Sequence, residues 1–162
     1  MNEQSYRIVA VPTEFASAVR AGGIPSVRWL DGGRHQCRHC LRLSAPDETV
    51  RLVSYSPFTT DQPFAERGPV FVHERECARY PDDGPYPPEF PKKSAVLRAY
   101  DAGETLVDSA VVGDAGVEAV IARQLANPRT AFLHARNVAE GCFMFRLEPA
   151  GRPIERHPTA AA

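Results

Sequence analysis

Glu66-Arg67-Gly68-Pro69-Val70-Phe71-Val72-His73-Glu74-Arg75-Glu76-Cys77, near the middle of the chain, is the stretch around which the rest is best read. Gly68-Pro69 marks a turn, and Pro at the first residue of a strand is tolerated because its missing N–H falls outside the ladder. Val70-Phe71-Val72 is then a short buried strand, and His73 stands where it emerges. Four residues further on is Cys77, and upstream lies a Cys-x2-Cys pair, Cys37 and Cys40. A Cys-x2-Cys turn can clamp one edge of a tetrahedral ion while a His-x3-Cys segment supplies the other two ligands. The pattern predicts a zinc site of Cys37, Cys40, His73 and Cys77, set against the alternative of buried apolar thiols and a histidine that merely ends a strand.

Working outward, 162 residues suit one core and one domain. Apolar residues make up 43% of the chain, charged residues 24%, and the formal net charge is −1, which gives no global field to attract nucleic acid or acidic lipid. No apolar run approaches a membrane span and no secretory pattern opens the chain, so a cytoplasmic location is expected. In that reducing compartment four cysteines read as thiols or ligands rather than disulfides.

Tyr6 to Val11 reads as a first strand, followed by a helix capped by Thr13 and ended at Gly22-Gly23. Val50 to Tyr55 is a strand covered on both faces. The prolines between Tyr80 and Lys93 forbid regular ladders, and that segment reads as a connector. Ala95 to Asp101 and Thr105 to Val112 form a hairpin, and Asp114 is expected to cap a helix whose Val117, Val120, Ile121 and Leu125 follow the 3.6-residue period. The predicted fold is a single α+β domain over residues 1–148. It has a mostly antiparallel sheet of about six to eight strands, two helices and a disordered tail at residues 149–162.

The last hairpin, Thr130 to Arg136 with Cys142 to Leu147, sorts by period-2 alternation into two faces. Ala131, Leu133, Ala135, Phe143, Phe145 and Leu147 form the apolar, core-facing side. Phe132, His134, Arg136, Cys142, Met144 and Arg146 form the other, read either as a solvated face or as a ligand site built from His134, Arg136 and Arg98. If Arg136 pairs with Cys142, His134 lies opposite Met144. Two further readings concern the thiols: a redox pair at Cys37 and Cys40, and Cys142 as a nucleophile with His134 as base. The first lacks a following helix of useful length, and the second lacks an oxyanion-hole signature.

Several segments together carry a resemblance: Cys37-Arg38-His39-Cys40-Leu41, Tyr55-Ser56-Pro57-Phe58, Glu66 to His73, Leu97-Arg98-Ala99-Tyr100-Asp101, His134-Ala135-Arg136-Asn137 and Gly141-Cys142-Phe143. From Cys37 to Arg146 the chain resembles a bacterial family catalogued as domain of unknown function 1203. The resemblance implies a family and no activity. A cytoplasmic binding or structural module is the expected function, with no catalytic residue, ligand or partner named.

Overall fold

A computed structural model describes residues 4–151. In chain order the elements are β1 (Tyr6–Val9), α1 (Thr13–Arg20), β2 (Val27–Trp29), β3 (Val50–Tyr55), β4 (Gly68–His73), β5 (Ala95–Tyr100), β6 (Leu106–Val111), α2 (Val117–Ala126), β7 (Phe132–Asn137) and β8 (Phe143–Pro149). Among the described residues the fold is α+β, with two α-helices and eight strands in one domain. The strands form two antiparallel sheets, one of five in the order β1-β8-β7-β5-β6 and one of three in the order β2-β3-β4. β8 runs through Pro149, which pairs with Tyr6; residues 152–162 of the expected tail lie outside the described residues.

On one face of the five-stranded sheet, Ala95, Leu97, Leu133, Phe145 and Leu147 are fully buried against Val117, Val120 and Ile121 of α2. The 3.6-residue period therefore finds its partner in the strand alternation. The proline-rich segment is more than a connector, because its Tyr86 and Phe90 are buried in this same core and their rings meet Phe145 at 5.1 and 6.1 Å. A second core joins α1, through Phe15 and Val19, to Val53, Val70 and Val72 of the small sheet.

The last hairpin departs from simple alternation. Ala135 pairs with Phe145 while Arg136 pairs with Phe143, so Met144 is an extra residue and a bulge replaces the expected pairing of Arg136 with Cys142. A bulge reverses which face the following residues occupy. Phe143 thus leaves the side of Phe145 and joins the second core, while Met144, expected on the other face, is buried in the first. His134 pairs with Arg146 rather than Met144. The face expected to be solvated is covered: His134, Arg136 and Arg146 are 0%, 4% and 7% exposed.

The cover is the segment between β3 and β4, and one carboxylate fastens it. Glu104 is buried at φ 65° in the β5–β6 turn and accepts hydrogen bonds from the backbone N–H and hydroxyl of both Thr59 and Thr60. Burial pushes its carboxyl upward, but the four donors prevail and hold it below its ordinary value. Glu104→Ala is expected to cost about 2–4 kcal/mol in chemical denaturation, because it orphans several donors at once. A carboxyl depressed in the folded state adds stability above its unfolded value, about 4.3, and that contribution fades as pH falls through the lower folded value. Denaturation at several pH values should therefore show a shallower acid limb for Glu104→Gln than for the parent protein.

Candidate metal centre

The Cys37–Cys40 turn is a small closed loop. Gln36 and Leu43 form an antiparallel bridge, Cys37 N–H donates to Arg42 O at 2.9 Å, and Leu41 N–H donates to Cys37 O at 2.9 Å. Closing so tight a turn puts Leu41 at φ 54°, a region uncommon for a side chain with a Cβ. The loop docks along the free edge of β4: Cys37 bridges Phe71 in parallel and Arg38 N–H donates to Phe71 O at 2.9 Å. That contact places the two thiols over the end of the strand from which His73 emerges.

All four predicted ligands converge. One ligand atom from each of Cys37, Cys40, His73 and Cys77 lies within 4.8 Å of every other, a set that can hold a metal ion. Cys37 Sγ is 4.0 Å from Cys77 Sγ, and Cys40 Sγ is 3.3 Å from His73 Nδ1. With Zn–S bonds of about 2.3 Å, a tetrahedron has S–S edges of about 3.8 Å, so these separations need only small adjustments around an ion. Cys37, Cys40 and His73 are buried and Cys77 is half-buried.

Residues that spacing could not identify complete the surroundings. His73 Nε2 lies 3.4 Å from Glu48 Oε2 without completing a hydrogen bond, so a carboxylate stands close to the position from which it orients a ligating histidine. His39 Nδ1 is 3.2 Å from Cys77 Sγ and its Nε2 is 3.0 Å from Thr13 Oγ1, so one tautomer donates to sulfur while accepting the hydroxyl proton. Arg20, at the other end of α1, donates through Nε to His73 O at 2.9 Å and through Nη2 to Cys77 Sγ at 3.1 Å. Both ends of α1 thus reach the cluster: Thr13, expected to cap the helix, bonds His39 instead. His39 was visible inside the Cys-x2-Cys motif; nothing in the sequence marked Arg20 or Glu48.

Within the cluster one sulfur, that of Cys77, is favoured as the anion. Hydrogen bonding with Cys37, then Cys40, His39 and His73, holds the Cys77 thiol far below its ordinary value, while contact with Cys37 and Cys77 and burial push Cys40 up. Sulfur contacts from Cys37 and Cys77 raise His73 to about 10. Arg20 places a positive charge where three thiolates around a divalent ion would leave one net negative charge.

The other predicted ligands occupy the covered face of the large sheet. Arg98 and His134 stand opposite one another in register, and Arg98 and Arg136 share the Glu66 carboxylate at 2.7 and 2.9 Å. His134 is enclosed by the rings of Phe58, Tyr100, Phe132 and Phe143, with centroids 4.9–5.1 Å away. Cys142 Sγ accepts hydrogen bonds from Arg38 Nη2 and Asn137 Nδ2, each at 3.3 Å. The Cys37–Cys40 turn leads into a bridge rather than a helix, so it lacks the helix N-terminus that activates a redox Cys-x-x-Cys.

Fold and site together define an α+β domain with a buried Cys3His cluster between its small sheet and first helix. The chain belongs to the family described as Protein of unknown function (DUF1203), which it matches over residues 34–148. No curated protein and no solved structure gives a significant match. Among the described residues, no helix is long and apolar enough to cross a membrane.

Proposed function

We propose that the chain is a small binding module whose minor sheet is stapled by one structural zinc ion on Cys37, Cys40, His73 and Cys77. The supporting observation is the convergence of four ligand atoms within 4.8 Å from two segments more than thirty residues apart. Four protein ligands close a tetrahedral site, and closed zinc sites hold structure, whereas catalytic ones keep a position open. The small sheet benefits from a staple, because all three residues of its β2 strand are exposed and contribute little to a core. Thiolate ligands kept reduced fit a cytoplasmic location.

A thiol oxidoreductase acting through Cys37 and Cys40 is the weaker reading, since Cys37 is fully buried and no helix follows the pair. An enzyme using His134, Arg136 and Cys142 is likewise weaker, since His134 sits inside a closed ring of aromatic side chains.

Elemental analysis of the purified protein tests the proposal. About one zinc per chain is expected, falling to well under half in Cys40→Ser, because three remaining ligands bind zinc far more weakly. Protein that purifies folded and metal-free from zinc-replete medium, with its thiols freely titratable, would overturn it.

A further inference from the structure

The four metal ligands are unequally covered. Cys37 has no exposure, Cys40 and His73 are 8% and 7% exposed, and Cys77 alone of the four is half-buried. It lies between exposed Glu76 and Ala78 in residues 74–80, which form no helix or strand, so a small solute arriving from water meets Cys77 first. Two donors that are not ligands address its sulfur, Arg20 Nη2 at 3.1 Å and His39 Nδ1 at 3.2 Å. On another side the fully buried Cys37 Sγ stands 4.0 Å away. An accessible thiolate beside cationic donors, with a second thiol in reach, is the setting in which cysteine is oxidised reversibly. Cys142 is also half-buried and also receives donors, from Arg38 and Asn137, but it lies outside the sulfur cluster and has no second thiol beside it among the described residues.

We propose that Cys77 is a peroxide-reactive thiol with Cys37 as its resolving partner, so that hydrogen peroxide unloads the metal centre. The unloading rests on the four-ligand zinc reading; the thiol chemistry does not. In the first step the Cys77 thiolate attacks one peroxide oxygen: an S–O bond forms, the O–O bond breaks, and hydroxide leaves and takes a proton from solvent to become water. Negative charge passes from sulfur to the departing oxygen, and Arg20 and His39 are donors already placed beside it. In the second step the Cys37 thiolate attacks the Cys77 sulfur: the S–S bond forms, the S–O bond breaks, and a second hydroxide leaves and is protonated to water. Two thiolates have then lost two electrons and the peroxide has gained them. Only Cys40 and His73 remain for the ion, two ligands where a closed zinc site needs four. The disulfide joins residues 40 apart, in the same two segments that the ion joins, so the small sheet exchanges one staple for another. The exchange is reversed by a thiol reductant and zinc.

Titrating the purified chain with hydrogen peroxide tests this, with disulfides mapped by peptide mass spectrometry and released zinc followed with a chromogenic chelator. The Cys37–Cys77 disulfide is the expected product, with one zinc released per disulfide, and the oxidised protein should melt above the reduced, chelated one. Arg20→Gln should slow the oxidation by about tenfold, the effect of one charge-assisted contact, and Arg20→Lys should recover most of the rate. Protein that purifies without metal would remove the zinc reading and leave the thiol chemistry to be judged on the peptides alone. A Cys37–Cys40 disulfide as the main product, oxidation confined to Cys142, zinc retained after the Cys37–Cys77 disulfide has formed, or an unchanged rate in Arg20→Gln would overturn the proposal.

Discussion

Chelating zinc from the metal-loaded protein is expected to lower its melting temperature by at least ~10 °C and to expose all three cluster thiols to reagent together. Apparent zinc binding in small thiolate sites reaches about 10–16 kcal/mol, comparable with the whole stability of a domain, about 5–15 kcal/mol. Even a few kcal/mol of that shifts a chain of this size by about 2–4 °C per kcal/mol. Loss should concentrate in the small sheet. The ion would join the Cys37–Cys40 loop to the end of β4, and α1 grips the same cluster through Thr13 and Arg20. Hydrogen exchange should accordingly rise in β2, β3 and β4 before it rises in β7 and β8. Re-adding zinc should restore the melting temperature; a chelator with no effect on either thiols or melting would contradict the staple.

Phe145→Ala is expected to destabilise by about 3–5 kcal/mol, the range for deleting a large ring from a packed core. Phe145 has no exposure and meets both Tyr86 and Phe90, so the proline-rich segment would lose its seat along with the sheet. His134→Ala on the opposite face should also be costly, about 2–4 kcal/mol, because four aromatic rings would lose a central partner. Chemical denaturation of the two variants checks this. A near-neutral His134→Ala would show that the second face is open to water, as simple alternation suggested.

Much of the fold was legible because its signals are local. Val70-Phe71-Val72 after Gly68-Pro69 is a strand, the 3.6-residue spacing from Val117 to Ile121 is a helix, and the two spaced ligand pairs marked the four residues that converge. The errors share a different origin. Period-2 alternation contains no information about an inserted residue, so the bulge at Met144 moved Phe143 to the other face and changed the partner of His134. Whether a sheet face meets water depends on a segment from elsewhere in the chain, here the one anchored by Glu104 on Thr59 and Thr60. Tyr86 and Phe90 lie among prolines with no periodicity, so their burial was unreadable. Arg20 and Glu48 approach the metal ligands only after α1 and the small sheet have packed. The β2 strand, three exposed residues long, has neither the length nor the alternation that would mark it.

X-ray absorption at the zinc edge of the purified protein tests the central claim most directly. The Cys3His site predicts a first shell of three sulfurs at about 2.3 Å and one nitrogen at about 2.0–2.1 Å, with no water. In Cys77→Ser, the fraction of zinc that stays bound should show two sulfurs in its first shell rather than three. A shell of nitrogen and oxygen alone, or one that keeps all three sulfurs in Cys77→Ser, would contradict the assignment of these four residues as a closed metal centre.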